Sequence, residues 1–344
     1  MSDLRKTVEA LLRHAGKTAR LALEADRVAV GRTPRTLVWS LGPVQLFRYA
    51  PTLPPAQRQP TPLLLVYALI NKPYIFDLLP GRSFIELMRD RGFDVFLLDW
   101  GAPGREDRHT RFDDYAANYL PRAVREVLRA SGASQLDMLG YCIGGTLATL
   151  YAALFPEAPL RRLALLAPAI DFDAGTPSSF RAWLDPQHFD VERVVDAFGN
   201  VPPGLIEFGS KMLKPVENYV SVYASLWDRA DDPAAVEGWQ AMHRWVHDGV
   251  PFAGAAFRQW VNDFIRANKL ARGELVVRGR RADLANIRVP LLNVIAAQDH
   301  IVPRECSANL MALVSSAERR LHVVPGGHVG LMVGSRALHQ IWPA

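Results

Sequence analysis

Two cysteines in 344 residues cannot build a disulfide framework. Nowhere does the chain reach the roughly 18 consecutive apolar residues of a transmembrane helix. Its N-terminal stretch, MSDLRKTVEALLRHAGKTAR, has neither the apolar core nor the small-residue cleavage site of a secretory signal, so a cytoplasmic location is the expectation. Internal repeats and low-complexity tracts are absent. With 49% hydrophobic and 22% charged residues, the composition leaves no room for extended disorder. A strongly charged body is missing too. The net charge of +5 comes from residues 1–60, where ten basic residues face four acidic ones for a local +6, and the remainder sums to −1. A neutral body offers no basic groove, which excludes nucleic acid as a partner.

What is present has a clear order. Apolar residues from Leu4 through Val8, Leu11, Leu12 and Ala15 to Ala19 recur at helical spacing, with Arg5, Lys6, Arg13 and Lys17 on other faces. This predicts an amphipathic basic helix over about residues 3–25. A Pro-rich stretch, Pro51 to Pro62, closes this N-terminal helix and lead-in segment, residues 1–60. Short apolar runs at 62–69, 93–100, 135–140 and 162–170 then alternate with helical patterns at 82–91, 113–131 and 145–155. Such alternation specifies an α/β fold with a mostly parallel, doubly covered sheet. The rhythm fails across 171–275, which is rich in proline and aromatic residues, and resumes with strands at 289–297 and 319–324. The reading is a core in two parts, 61–170 and 276–344, split by a helical cap insertion over 171–275.

The chemistry concentrates in Gly140-Tyr141-Cys142-Ile143-Gly144-Gly145, between an apolar strand and a small-residue helix. A nucleophile elbow needs that context: a sharp strained turn, with small residues flanking it so that strand and helix can approach. Cys142 stands where hydrolases usually carry serine. At a helix N-terminus the dipole favours an anionic thiolate, and the Ile143 N–H can donate to an oxyanion. By itself G-x-C-x-G also fits a buried structural cysteine. Two later residues shift the balance. Asp299 follows strand 289–297 in AAQDHIVP, and His328 follows strand 319–324 in PGGHVG. Cys, Asp, His, each just past a strand end, is the chain order of the α/β-hydrolase fold. His328 then serves as general base to Cys142 while Asp299 fixes its tautomer. The second oxyanion donor is expected after the strand at 62–69, at Leu69 or Ile70. His300 fits either a place lining the site or a solvent-facing one. Cys306 reads as structural, as does Asp99-Trp100-Gly101, and the His243/His247 pair lacks the glutamate of a zinc-binding H-E-x-x-H helix.

Five segments carry a resemblance: ALINKPYIFDLLPGRSFIELM (68–88), FDVFLLDWGAPGREDR (93–108), GYCIGGTLATLYAALFP (140–156), NVIAAQDHIVP (293–303) and PGGHVGLMVGSRA (325–337). From about residue 33 to the end, the chain resembles the polyhydroxyalkanoate synthases. It looks most like the short, two-component class III, although its Tyr141-Cys142-Ile143 is similar to the elbow of the long single-component enzymes. The resemblance implies Cys142, Asp299 and His328 as the catalytic triad. It also implies polymerisation of (R)-3-hydroxyacyl-CoA, short-chain such as 3-hydroxybutyryl-CoA, with release of CoA. No resident cofactor is implied, the CoA thioester being the substrate. Partners so implied are the growing polyester chain, a granule surface, a second copy of the chain and a small second subunit. Acyl-CoA thioesterase or polyester depolymerase activity stays open as an alternative on the same fold. The basic helix, outside this resemblance, suits either docking on a partner or granule, or a plain solvated surface.

Overall fold

The computed structural model describes residues 2–175, 179–334 and 336–343. One sheet of eight strands organises it: β1 Thr36–Leu41, β2 Val44–Tyr49, β3 Leu63–Val66, β4 Val95–Asp99, β5 Leu136–Tyr141, β6 Leu160–Leu166, β7 Leu291–Ala296 and β8 Arg319–Val324. Their spatial order is β1-β2-β4-β3-β5-β6-β7-β8. β2 runs antiparallel to β1 and β4, and every other neighbouring pair is parallel. All four residues of β3, and Val95–Leu98 of β4, are buried, as expected for uninterrupted apolar strands covered on both faces.

Helices fill the crossovers. Those between strands are α2 Phe84–Asp90, α3 Leu120–Ser131 and α4 Ile143–Leu154, while α1, Ser2–Leu23, precedes the sheet. Ser83 caps α2 by accepting from the Glu86 N–H at 3.0 Å, and α3 stops at Gly132, whose φ of +74° supplies the left-handed turn. Every residue of α4 is buried, so this helix is apolar all round and lies at the centre.

Two differences from the sequence reading matter. Residues 36–49, read as lead-in, form the β1–β2 hairpin and extend the main sheet. Ser40, Gln45 and Arg48 break up the apolar pattern there, because an antiparallel edge hairpin keeps much of its surface in water. β3 also ends at Val66 and does not continue to Leu69. The Tyr67 carbonyl accepts from the Trp100 indole N–H at 2.9 Å, and the chain leaves the ladder there as a loop.

Between β6 and β7 lie α5 Val191–Phe198, α6 Pro203–Lys211, α7 Val222–Asp228, α8 Pro233–His247 and α9 Gly254–Gln259. Asp190 and Asp232 start α5 and α8, each carboxylate accepting from two backbone amides of the first turn. The insertion is tied at its base. Asp171, just past β6, accepts from the Asn268 amide at 2.7 Å and from the Asn309 amide at 2.5 Å. Asn268 Oδ1 in turn accepts from the Phe172 N–H at 3.0 Å.

The basic helix α1 docks inside its own chain. His14 Nε2 donates to the Trp227 carbonyl at 2.8 Å, Lys17 pairs with Asp231 at 2.5 Å, and Gln240 on α8 donates to the Leu21 carbonyl at 2.8 Å. Val8, Leu11 and Leu12 stay exposed on the remaining surface of α1. None of the described helices is long and apolar enough to cross a membrane.

Candidate active site

Cys142 sits between the last residue of β5 and the first of α4, at φ +58°, ψ −129°. A non-glycine residue in that region stores about 1–3 kcal/mol of strain, which the surroundings must hold. They do so from both sides: the Cys142 N–H donates to the Leu166 carbonyl at 2.9 Å, and the Cys142 carbonyl accepts from the Gly145 N–H at 2.8 Å. The flanking glycines make the turn possible. A Cβ on Gly140 would lie 2.6 Å from Gly145 Cα, and one on Gly144 would lie 2.3 Å from the Val66 carbonyl oxygen. Both collisions are with backbone. We therefore expect Gly144→Ala to cost about 3 kcal/mol through overpacking, read as a large fall in Tm and in soluble yield. Gly16→Ala on α1, where nothing lies within 4 Å, is the control and should stabilise by about 0.5–1 kcal/mol. Equal Tm values for the two variants would contradict this account of the elbow.

Asp299 follows β7 and its carboxylate is fully engaged. Oδ1 accepts from the Ile301 and Val302 amides at 2.9 Å each, and Oδ2 lies 2.6 Å from His328 Nδ1. The Asp299 side chain is 1% exposed and that of His328 5%. With Nδ1 donating to Asp299, the other ring nitrogen of His328 is left for its hydrogen bond with Cys142. Burial pulls the imidazolium down, but the negative charges of Cys142 and Asp299 and the hydrogen bonds to both outweigh it, raising His328 to about 10. The ring is thus held between the thiol of the elbow on one side and the carboxyl of Asp299 on the other.

The structure brings Cys142, Asp299 and His328 together from three strand ends. Ile143, the first residue of α4, has an N–H with no acceptor among the described residues. Neither do the Leu69 and Ile70 N–H groups find one, in the loop after β3. Leu69 and Ile143 are buried and Ile70 is half-buried, and the loop begins beside the elbow, where Gly144 packs on Val66 and Tyr67; buried backbone donors without a partner are rare.

Two neighbours, Tyr141 and Tyr67, had been given no role by the sequence reading. Tyr141 is buried, donates its hydroxyl to the His328 carbonyl at 3.1 Å, and stacks its ring on the imidazole with centroids 5.2 Å apart. Its adjacency to Cys142 was the available signal, but nothing in one sequence tells which loop its hydroxyl reaches. Tyr67 packs on Tyr141 at 5.4 Å and lies close enough to Cys142 to feel its charge. His300 is half-buried, and its pKa is lowered, first by burial and then by Lys214 of the insertion, with Asp299 opposing. That places it at the edge of the site, under the insertion. Cys306 is a buried thiol pushed up by burial to about 12. Asp99, Trp100 and Gly101 form a structural turn: Asp99 accepts from the Gly101 N–H, and the Trp100 indole holds Tyr67. His243 and His247 stack at 4.0 Å on α8, away from the triad loops, with Glu207 and Lys211 of α6 against His247.

Comparison with known proteins gives the chain a family. Residues 61–335 match the family model of the alpha/beta hydrolase fold, and residues 1–88 match that of the poly-beta-hydroxybutyrate polymerase (PhaC) N-terminus. The second match corrects the range given above, since it takes in the basic helix as well as the chain from residue 33. The poly(3-hydroxyalkanoate) polymerase subunit PhaC of Haloferax mediterranei is 39% identical over 319 residues, which cover 93% of this chain and 64% of that protein. Its counterpart in Allochromatium vinosum is 36% identical over 333 residues, covering 96% of this chain and 92% of that one. Among solved structures, a membrane phospholipase A described as a bacterial virulence factor has a TM-score of 0.51 and 17% identity, covering 96% of this chain and 94% of that chain. That likeness is one of fold alone. Strand order, both family models and a relative spanned over 92% of its length converge, and the chain belongs to the poly(3-hydroxyalkanoate) polymerase PhaC family, on the α/β-hydrolase fold.

Proposed function

We propose that this chain is an acyltransferase that polymerises (R)-3-hydroxyacyl-CoA, short-chain such as 3-hydroxybutyryl-CoA, into polyhydroxyalkanoate and releases CoA. The observation that carries the reading is the continuous line from Cys142 through His328 to Asp299, enclosed at one set of strand ends. Cys142 Sγ passes its proton to His328 and attacks the thioester carbonyl. The oxyanion is met by the Ile143 N–H and by that of Leu69 or Ile70, and collapse expels the CoA thiolate, which takes the proton from His328. One thioester has replaced another, so the acyl group stays activated. The hydroxyl of a second unit or of the chain end then attacks the acyl-Cys142 carbonyl. His328 accepts the hydroxyl proton as the ester forms, and the Cys142 thiolate leaves. Asp299 stabilises the imidazolium in both steps. No resident cofactor enters this scheme.

Enclosure favours transfer over hydrolysis. Cys142 is 9% exposed and His328 5%, so water reaches the acyl-enzyme poorly. In this reading the insertion also admits CoA and passes out the polymer. A second copy, a small second subunit and the granule surface complete its set of partners, and the exposed Val8, Leu11 and Leu12 of α1 face outward for such contacts. The test is direct. Purified protein is incubated with 3-hydroxybutyryl-CoA while free thiol and product are followed. We expect stoichiometric CoA release with insoluble polyester. Free 3-hydroxybutyrate as the main product would make the chain a thioesterase, and an absence of CoA release would remove both readings.

A further inference from the structure

The loop that carries Leu69 and Ile70 is anchored at two ends by different parts of the molecule. Its start belongs to the core, where Tyr67 is held by the Trp100 indole and packed against Gly144. Its end belongs to the insertion. The Ile70 carbonyl accepts from the Val250 N–H at 3.0 Å, and Asn71 pairs with Gly249 in an isolated antiparallel bridge. The Trp245 indole N–H donates to the Lys72 carbonyl at 3.0 Å. Asp248, which caps the C-terminus of α8, pairs with Lys72 Nζ at 2.8 Å and accepts from the Tyr74 hydroxyl at 3.2 Å. Between these anchors the Leu69 and Ile70 amides have no acceptor among the described residues.

From this juxtaposition we infer that Trp245 and Asp248 are positioning residues that hold the oxyanion-binding backbone in place, so the insertion completes the active site as well as covering it. A peptide plane fixed at one end only can rotate about its flanking φ and ψ and turn its N–H away. The Val250 and Trp245 donors occupy the carbonyls of Ile70 and Lys72, one on each side of Asn71, and suppress that rotation. The Lys72–Asp248 pair sets the register between α8 and the loop. Oxyanion donors matter only when negative charge develops on a carbonyl oxygen, so the clamp acts on acyl transfer and leaves the intrinsic reactivity of the thiolate alone.

The inference rests on the proposed acyl-transfer chemistry, and the experiment separates the two. Acylation of Cys142 by 3-hydroxybutyryl-CoA passes through an oxyanion. Its alkylation by iodoacetamide displaces iodide at a saturated carbon and does not. Asp248→Asn and Trp245→Phe are therefore compared with wild type in both reactions, single-turnover acylation and alkylation. Loss of one oriented oxyanion donor lowers acylation by about 10²-fold, and a loosened one by about 10-fold. We expect each variant to acylate about 10-fold more slowly with kcat reduced and KM nearly unchanged, while alkylation stays within about twofold of wild type. The double variant should be no worse than the slower single one, since both act on one loop. Parallel loss of acylation and alkylation would overturn the inference, because the residues would then support the fold or Cys142 itself. Unchanged acylation in Asp248→Asn would overturn it too. Should wild type fail to be acylated by the CoA thioester, the proposed substrate is wrong, and the same comparison is made with p-nitrophenyl acetate as acyl donor.

Discussion

Cys142→Ala is expected to lower CoA release from 3-hydroxybutyryl-CoA by about 10⁵-fold or more, to the level set by the surrounding donors alone. The side chain lost is the only thiol at the elbow; the other cysteine, Cys306, is buried and held protonated by its surroundings. Cys142→Ser tests the chemistry more finely. A serine hydroxyl is far less acidic, and any oxoester formed is a poorer acyl donor than a thioester, so the second transfer fails even where the first occurs. The expected result for serine is slow CoA release without polymer. Residual turnover near wild type in the alanine variant would sink the assignment of Cys142 as nucleophile.

The second large effect concerns charge at His328. Burial pulls its pKa down, but its electrostatic and hydrogen-bonding interactions with Cys142 and Asp299 outweigh that and raise it to about 10. Asp299→Asn removes one anion and the hydrogen bond that fixes the Nδ1 tautomer, while the burial that disfavours the imidazolium remains. We expect polymerisation to fall on the order of 10³- to 10⁴-fold, with the ring titrating well below its wild-type value. Nuclear magnetic resonance of labelled histidine reads both tautomer and titration. The stability consequence has a definite sign. A folded-state pKa raised above the unfolded value near 6.5 contributes stability that is full below about 6.5 and is lost as pH rises through about 10. Wild type should therefore lose Tm between those limits more steeply than Asp299→Asn. A variant with full rate and an unchanged His328 titration would show that another carboxylate orients the ring.

The elements legible in the sequence were those with a single strong period. Uninterrupted apolar runs marked β3, β4 and β5, and a small-residue helix after Cys142 marked α4. Cys142 follows such a run, Asp299 follows the nearly apolar LLNVIA, and His328 follows RRLHVV, a mostly exposed strand marked by little more than its place after the last helix; in a parallel sheet all those ends face one side. The β1–β2 hairpin stayed hidden because its exposed residues dilute the pattern. Tyr141, Trp245 and Asp248 were invisible for a different reason. Their partners lie far along the chain, as with Tyr141 and His328, 187 residues apart, and Trp245 and Lys72, 173 apart. Such pairings are products of tertiary packing, which no local period encodes. The end of β3 at Val66 was likewise decided by an indole from the next strand's end.

Asp171 ties the first and last parts of the insertion at its base, through Asn268 97 residues away. In polymer terms the insertion is a closed ring. Bringing together the ends of a flexible segment that long would cost about 4 kcal/mol of chain entropy, and the contacts at the base keep the ends together while they hold. The ring can therefore fray, open or be cut within without separating the strands it interrupts. In amide hydrogen exchange this would appear as an insertion that opens well below the global unfolding free energy while β6 and β7 stay protected. An insertion that opened in this way would leave the spacing of the triad as it is.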